Sequence, residues 1–278
     1  MTRREKCGLQ IKMFDRIYCI NLDRRPDRWA QFQTDYPAEL PRAERWPAVD
    51  GNICKPPSWW PSSPARYGCY ASHLGVIEKC LADGVESVLV FEDDATSREG
   101  FSELWPAFQA ALPENWNWLY LGGSLRSKPA RKVNSRVYVP QVVGATHAMI
   151  LRRDAMQMIH RQLIDHRLWM AHRFVCVDKF YQRLHLLGWN GLYCPAQWLF
   201  RQSADYSDLI NKHVEYVWPD ACDVQPARGK FVPQQLRCDP APFGATQFHC
   251  KRKHCQQTWT ANVKAPICRE RRLVRQVG

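Results

Sequence analysis

The chain has 278 residues, of which 45% are hydrophobic and 12% aromatic, enough to bury the core of one large domain or of one domain with an extension. Its formal net charge of +12 predicts an anionic partner: a nucleotide, a phosphorylated glycolipid, an anionic membrane surface or a nucleic acid. Residues 1–16 lack the apolar segment of a signal peptide, and no later stretch approaches the roughly 20 apolar residues of a membrane span. We therefore expect a soluble, cytoplasmic protein, with peripheral membrane contact left open.

The first predicted unit is a strand, a polar turn and a helix. The strand pattern DRIYCINL covers residues 15–22, and Asp23 is the expected N-cap of a helix that has Pro26 in its first turn. Three arginines follow the strand at positions 24, 25 and 28. They lie at the edge where α/β sheets bind ligands, but without other evidence a solvated helix start is the preferred interpretation. Residues 45–51 predict a second strand that ends in an Asp-Gly turn.

A proline-rich loop and a helix come next. The loop 55–64 carries Trp59 and Trp60, which we expect to pack onto the protein rather than to stack on a sugar. The helix that follows ends near Gly84 and leads into the next strand. His73, near the predicted start of this helix, is interpreted as a hydrogen-bonded structural residue, with a ligand or catalytic role as the alternative.

The most informative stretch is VESVLVFEDD, residues 85–94. Its apolar residues show no polar alternation, which is typical of a strand buried on both faces of a sheet. The strand then ends in three adjacent carboxylates, Glu92, Asp93 and Asp94, which repel one another when they are buried. A bound Mg²⁺ or Mn²⁺ would relieve that repulsion. The alternative is a solvated turn that caps the next helix.

Four motifs, in this order and at these separations, together resemble glycosyltransferase family 25. They are INLDRRPDR at 20–28, AVDG at 48–51, GCYASH at 68–73 and FEDDA at 91–95. Three later segments extend the resemblance: GATHAMIL at 144–151, VD at 177–178 and QSADYSD at 202–208. The family includes bacterial lipooligosaccharide galactosyltransferases and the collagen hydroxylysine galactosyltransferases.

The resemblance implies a glycosyltransferase A-type fold. This is an α/β architecture with a mostly parallel sheet and helices on both faces. The strand–helix units, with ligand-type residues at the carboxyl ends of the strands, point to the same architecture without the resemblance. We expect the catalytic domain to cover residues 14–210 and a basic, Cys-rich extension to cover residues 211–278.

The resemblance also implies a metal-dependent hexosyltransferase. Such an enzyme moves galactose or glucose, with inversion, from a nucleotide sugar such as UDP-galactose to a hydroxyl of a glycan, a protein or a glycolipid, as in lipopolysaccharide biosynthesis. A divalent ion suits this chemistry because the diphosphate leaving group develops negative charge. By the family pattern, Mn²⁺ or Mg²⁺ is held by Asp94 with Asp93, while Glu92 and Asp93 hold the ribose or a water near the metal. The nucleotide pocket is expected to be formed by Asn21, Asp23, Arg24 and, nearby, Asp50.

Inversion requires a group that takes the proton of the acceptor hydroxyl. Asp178 is the expected base, because it follows a short apolar run at 174–177 and matches the late aspartate of the family. The alternative is that Asp178 caps a helix that starts at Lys179. His147 and Asp205 are the next candidates for the base.

The last quarter of the chain differs from the rest in composition. Residues 211–278 hold 12 Lys and Arg against 5 Asp and Glu, a net charge of +7, and five of the twelve cysteines. Cys250, His254 and Cys255, with Cys238 or Cys268, form a candidate structural Zn²⁺ site, with disulfides or free thiols as alternatives. A protein that binds or modifies nucleic acid through this basic Cys/His tail is the alternative function.

Overall fold

The described part of the chain is built around one eight-stranded sheet. The computed structural model describes residues 13–127, 129, 131–172, 176–186, 190–207, 212–214 and 219–223, with four short strands beyond them at Gln247–His249, Thr258–Thr260, Cys268–Arg269 and Arg272–Leu273. The strands of the sheet are β1 (Arg16–Asn21), β2 (Glu44–Pro47), β3 (Ser87–Glu92), β5 (Trp118–Leu125), β6 (Arg131–Lys132), β7 (Val137–Val139), β8 (Val143–Arg152) and β9 (Leu192–Pro195). Their order in space is β2-β1-β3-β8-β5-β9-β7-β6. Outside this sheet lie β4 (Ala95–Ser97), β10 (Phe200–Gln202), β11 (Asp205–Ser207) and β12 (Lys212–Val214).

The sheet is mixed. β1 pairs in parallel with β2 and β3, and β5 pairs in parallel with β9. β8 runs antiparallel between β3 and β5, and β7 runs antiparallel to β6 and β9. The α/β class is confirmed, but the sheet is less parallel than expected. The reason is local: parallel neighbours need a long crossover, usually a helix, and only the short strands β6 and β7 separate β5 from β8 along the chain.

Helices cover both faces of this sheet. They are α1 (Pro26–Asp35), α2 (Pro64–Ala82), α3 (Phe101–Ala111), α4 (Arg153–Leu163), α5 (His166–His172) and α6 (Val177–Leu186). On β3, Val88 and Val90 belong to the core that includes residues of α2, α4 and α6, whereas Leu89 and Phe91 belong to the core that includes residues of α1 and α3. All four are at most 1% exposed. The expectation of a strand buried on both faces is thereby confirmed.

The start of α1 differs from the sequence prediction. The helix begins at Pro26 with Arg25 at the N-cap position, and no side chain makes a capping hydrogen bond. A tight turn, in which Arg25 N–H donates to the Leu22 carbonyl, delays the helix start. Asp23 is therefore not the N-cap, and its carboxylate instead accepts a hydrogen bond from Arg45, with Nη2–Oδ1 at 2.7 Å.

The two tryptophans of the loop 55–64 pack onto the protein, as expected. Trp60 is 8% exposed, and its ring lies 4.9 Å from that of Trp169. Trp59 is half-buried and stacks on His166 at a ring separation of 4.0 Å. This aromatic group joins the loop to α2 and α5. None of the helices in the described ranges combines the length and apolarity needed to cross a bilayer.

An irregular stretch interrupts the centre of the sheet. The pairing of β5 with β8 shifts register twice around Gly122, and Ala145 in β8 has a φ of 65°, in the left-handed region. Residues with a Cβ seldom adopt this conformation unless their surroundings impose it. A Cβ at Gly122 would lie 2.2 Å from His147 Nε2, so the glycine makes room for that ring. Because Phe91 pairs with Ala148, the irregular stretch lies beside the acidic end of β3.

Candidate functional site

A pocket of about 180 Å³ opens at the carboxyl ends of β1 and β3. This is the edge where α/β sheets bind ligands. Five of the seven residues expected to bind the nucleotide or metal line this pocket: Arg24, Asp50, Glu92, Asp93 and Asp94. Asn21 lies just behind it and contacts Asp93, whereas Asp23 is exposed and pairs with Arg45.

Helix α2 forms one wall of the pocket because a glycine lets it approach the turn after β2. A Cβ at Gly68 would lie 2.3 Å from the Val49 carbonyl oxygen and 2.8 Å from the Gly51 nitrogen. One helical turn later, the Ser72 hydroxyl accepts a hydrogen bond from Val49 N–H at 2.9 Å. The AVDG and GCYASH motifs are thus parts of one contact, which brings Cys69 and His73 to the pocket.

Asp93 and Asp94 share one guanidinium group. Arg28 Nη2 lies 2.9 Å from Asp93 Oδ1 and 3.2 Å from Asp94 Oδ2. Asn21 Nδ2 donates to the other Asp93 oxygen at 2.6 Å, and Gln202 Nε2 donates to Asp94 Oδ2 at 3.2 Å. Asp94 Oδ1 is buried and has no hydrogen-bond partner among the described residues. One arginine therefore faces two partly buried carboxylates, one of which has an unsatisfied oxygen.

This arrangement makes ionisation of both aspartates unfavourable. Burial raises the pKa of Asp93 to about 7, and the charge of Asp94 adds to that increase against the opposing effect of Arg28. Burial, followed by the charge of Glu92, likewise raises the pKa of Asp94. Additional positive charge would lower both pKa values and satisfy the unpaired oxygen. The oxygens of Asp93 and Asp94 are the donors that Mg²⁺ and Mn²⁺ prefer, so the residues present fit a hard divalent cation.

Glu92 has a different environment from the two aspartates. His73 Nε2 lies 2.9 Å from Glu92 Oε1, and the Thr146 hydroxyl donates to the same oxygen. Burial acts to raise the pKa of Glu92, but the hydrogen bonds and the charge of His73 outweigh it and hold the pKa low, at about 2. Glu92 is therefore a carboxylate at neutral pH. The expected structural hydrogen bond of His73 is present, and it falls inside the candidate site.

The three arginines of the predicted cluster bind different carboxylates. Arg24 Nε donates to Asp50 Oδ2 at 2.7 Å, and Arg28 binds the two aspartates. Arg25 pairs with Asp27. Arg24 and Arg28 both line the pocket. The Arg28 side chain is 13% exposed, which does not fit a solvated helix start, whereas Arg24 remains exposed.

Asp178 lies in the first turn of α6 and is not a lining residue of the pocket. Its carboxylate accepts hydrogen bonds from the Cys176 thiol at 2.5 Å and from Gln182 Nε2 at 3.3 Å. Because α6 begins at Val177, Asp178 does not cap a helix that starts at Lys179. Asp178 nevertheless interacts electrostatically with the pocket residue Cys69: burial raises the pKa of the Cys69 thiol, and the charges of Glu92 and Asp178 add to the increase.

The two alternative bases have different positions. His147 is fully buried, and its Nδ1 atom has no partner among the described residues. Burial lowers the pKa of His147, while the charges of Asp94 and Glu92 oppose that change. The backbone of Asp205 belongs to β11, which pairs with β12.

Four contacts of the site could not be inferred from the sequence. They involve Arg28, Arg45, Thr146 and Gln202, which are far from their partners along the chain. The resemblance included the segments around three of them, but no spacing rule connects an arginine of α1 to an aspartate that follows β3. Only the three-dimensional pairing of the strands identifies these partners.

The predictions for the last quarter of the chain stay predictions. Cys250, His254 and Cys255 lie outside the described residues, so neither zinc, disulfides nor free thiols are tested there. The expected boundary between residues 210 and 211 also falls outside the described ranges. The nucleic-acid alternative depends on the same tail.

Comparisons with known proteins bear on a part of the chain that includes the acidic end of β3. The sequence model of Glycosyltransferase family 25 (LPS biosynthesis protein) matches residues 62–162. The protein named "Inactive glycosyltransferase 25 family member 3" of Mus musculus is 30% identical over 129 residues, which cover 39% of this chain and 22% of that protein. The "Glycosyltransferase 25 family member" of Aedes aegypti is 33% identical over 95 residues, which cover 28% of this chain and 16% of that protein.

The chain thus covers less than a quarter of the length of each of these relatives. The segment matched by the family sequence model contains the GCYASH and FEDDA motifs and the strands β3, β5 and β8. Residues 62–162 thus match the sequence model of glycosyltransferase family 25, which confirms the resemblance for the motifs that lie in this segment.

Proposed function

We propose that this protein transfers a hexose, galactose or glucose, from a nucleoside diphosphate sugar such as UDP-galactose to an acceptor hydroxyl, on a glycan, a glycolipid or a protein. The observation that carries the proposal is the meeting of three carboxylates, Glu92, Asp93 and Asp94, with the arginines 24 and 28 in one pocket at the sheet edge. The relation to family 25 supports the same activity. A glycosyltransferase A-type arrangement of the sheet belongs to this proposal.

The two arginines would bind the donor through its diphosphate. Guanidinium groups recognise phosphate oxygens through charge-assisted, often bidentate, hydrogen bonds. The bond from Arg24 to Asp50 fixes the direction of the Arg24 side chain at the pocket wall. Glu92, ionised and oriented by His73 and Thr146, is suited to accept hydrogen bonds from the ribose hydroxyls.

Asp94, with Asp93, would hold Mn²⁺ or Mg²⁺. The fit rests on the unsatisfied Asp94 oxygen and on two partly buried carboxylates that share one guanidinium group. The chemistry that such an ion supplies is neutralisation of the charge that develops on the leaving diphosphate. Asn21 orients Asp93 through its 2.6 Å hydrogen bond, and Gln202 orients Asp94.

Asp178 would take the proton of the acceptor hydroxyl in an inverting displacement. The support for this role is its electrostatic interaction with Cys69, which lines the pocket. The hydrogen bonds from Cys176 and Gln182 hold the carboxylate in place at the beginning of α6.

The first experiment is the substitution Asp94→Asn, which keeps the size of the side chain and removes its charge. We expect Mn²⁺-dependent turnover of the nucleotide sugar to fall about 10²- to 10³-fold, as for the loss of one group that stabilises developing charge. Asp154→Asn is the matched control, because Asp154 is an exposed acid in the first turn of α4. Its turnover should equal that of the parent protein.

Two outcomes would contradict the proposal. Near-normal Mn²⁺-dependent turnover of Asp94→Asn would remove Asp94 from the reaction. Failure of the parent protein to turn over any of a panel of UDP-hexoses, with Mn²⁺ and acceptors present, would reject the transferase activity itself. That outcome would agree with the word "inactive" in the name of the Mus musculus relative.

The proposed base is tested by Asp178→Asn. Loss of a general base lowers the rate by about 10²- to 10⁴-fold while donor affinity stays unchanged. Turnover and donor affinity should be measured together with the thermal midpoint of unfolding. If turnover per folded molecule stays within a few-fold of the parent value, the base is another residue, and His147 would be tested next.

A further inference from the structure

Cys69, His73 and Glu92 form a second group of potential metal ligands in the same pocket. The Cys69 sulfur, a His73 ring nitrogen and a Glu92 oxygen all lie within 4.8 Å of one another. All three residues line the pocket. We propose that these three side chains form a binding site for Zn²⁺, distinct in its ligands from the pair Asp93 and Asp94. This inference goes beyond sugar transfer; it shares Glu92 with the proposed ribose contact and uses the carboxylate oxygen that faces His73.

The helix provides the first two ligands through its periodicity. Cys69 and His73 are four residues apart in α2, so their side chains point to the same face one turn apart. Two ligands at this spacing on one helix are a recurrent way to hold zinc. Glu92 supplies the third ligand from the end of β3, which lies opposite this face of the helix.

The distances require only a small adjustment. Ligand atoms around a tetrahedral Zn²⁺ ion lie about 3.4–3.6 Å apart, given the usual bond lengths of zinc to sulfur, nitrogen and oxygen. His73 Nε2 and Glu92 Oε1 are at 2.9 Å, and no pair in the group exceeds 4.8 Å. Changes of roughly 1 Å, within the reach of side-chain rotation, would bring all three atoms to zinc distances. Three protein ligands at a pocket wall leave the fourth position for water or a bound molecule.

The chemical nature of the ligand atoms determines which metal ion they favour. A thiolate and an imidazole are soft or borderline ligands that favour Zn²⁺, whereas the oxygen atoms of Asp93 and Asp94 favour Mg²⁺ or Mn²⁺. On binding, the Cys69 thiol releases its proton to solvent as the sulfur–zinc bond forms, and His73 gives up the Nε2 proton that it donates to Glu92 in the free protein. The Thr146 hydroxyl already orients Glu92 through a hydrogen bond, as partners of metal-binding carboxylates commonly do.

A second cluster in the described part of the chain is a weaker candidate. Asp220, Cys222 and Asp223 are also close together, but Asp220 is engaged in an ion pair with Arg98 at 2.6 Å and accepts a hydrogen bond from Trp198 N–H. Its other two members are exposed. The group formed by Cys69, His73 and Glu92 combines burial with access from a pocket.

The proposal is tested by titrating the chelator-treated full chain with Co²⁺, which replaces Zn²⁺ and reports bound thiolate through a charge-transfer band. Cys69→Ser should bind one Co²⁺ fewer per chain than the parent and lose the part of the band that belongs to this site. Cys80→Ser, a buried cysteine of the same helix, should match the parent. Because other cysteines also lie along the chain, the result is the difference between the variants.

Asp94→Asn separates this site from the proposed Mn²⁺ site. This variant should keep the whole Co²⁺–thiolate band, whatever its effect on sugar transfer. The zinc proposal and the Mn²⁺ proposal can therefore be refuted separately. An unchanged stoichiometry and band in Cys69→Ser would overturn the zinc site. His73→Asn answers the same question if Cys69→Ser does not fold.

A readout without mutation completes the test. The alkylation of Cys69 in the parent protein can be followed by mass spectrometry, in mild denaturant, with the Cys80 peptide as internal reference. Bound Zn²⁺ should slow the modification of Cys69 at least tenfold relative to Cys80. Equal rates with and without Zn²⁺ would also overturn the proposal.

Discussion

His185 predicts a specific pH dependence of stability. Its ring lies in the core between α6 and the sheet, where it is 3% exposed. Nδ1 accepts a hydrogen bond from Val143 N–H at 3.3 Å, and Nε2 lies 3.1 Å from the Tyr120 hydroxyl. The neutral ring therefore uses both nitrogens, with the proton on Nε2 because Nδ1 is an acceptor. Burial lowers the pKa of His185 from 6.5 to about 3.

The expected magnitude follows from proton linkage. Above pH 6.5 the ring is neutral in both states. Between pH 6.5 and about 3 the unfolded chain binds a proton that the folded chain does not, so the free energy of unfolding decreases as the pH falls. Between pH 7.5 and pH 5, His185 should therefore lower the free energy of unfolding by about 2 kcal/mol, since one pKa unit corresponds to about 1.4 kcal/mol.

The assay compares the parent protein with His185→Gln. Urea unfolding, followed by tryptophan fluorescence in chelator-containing buffer, gives the free energy of unfolding at several pH values. Glutamine offers an acceptor and a donor but does not titrate, so the parent should lose about 2 kcal/mol more than the variant between pH 7.5 and pH 5. A constant stability offset between the proteins does not affect this difference. Parallel curves over the whole pH range would refute the assignment of a buried, neutral His185.

Two further predictions concern contacts around the pocket. Gly68→Ala should lower the free energy of unfolding by about 1–3 kcal/mol, because its Cβ would press on the Val49 carbonyl, and urea titration measures this loss. Gly75→Ala on the same helix is the control, because its Cβ would meet a tryptophan side chain at 3.2 Å rather than the backbone. An equal loss of unfolding free energy in both variants would contradict the reasoning. Thr146→Val removes a hydrogen-bond donor to the Glu92 carboxylate. NMR titration of the chelator-treated protein should therefore find the Glu92 pKa about 1–2 units higher. An unchanged pKa would mean that this hydrogen bond does not stabilise the charge of Glu92.

The sequence was most informative for features that depend on neighbouring residues of one segment. The apolar run from Val88 to Phe91 predicted a strand buried on both faces, and the structure places alternate residues in two different cores. The three carboxylates after it predicted a site because adjacent buried charges have no structural benefit by themselves, and all three line the pocket. Pro26 likewise marked the first turn of α1 correctly.

Features that depend on distant partners were not accessible in this way. Nothing near Arg28 in the sequence shows that it binds Asp93 and Asp94, because that contact exists only once β1 and β3 are paired. The antiparallel direction of β8 was missed for a similar reason: a buried strand has the same apolar pattern in either direction. The position of Asp178 inside α6 depended on a helix boundary, where local signals are weakest.

The strand order has a consequence for local unfolding. The neighbouring strands β3, β8 and β5 all come from residues 87–152, while β1 and β2 lie outside them on the β3 side. The β1–α1 unit, which carries Arg24 and Arg28, can therefore separate from β3 while the central strands stay paired. A nucleoside diphosphate bound between these arginines and the acidic cluster would hold the two parts together. Its binding should slow amide hydrogen exchange in β1 and β2 and leave exchange in β5 unchanged.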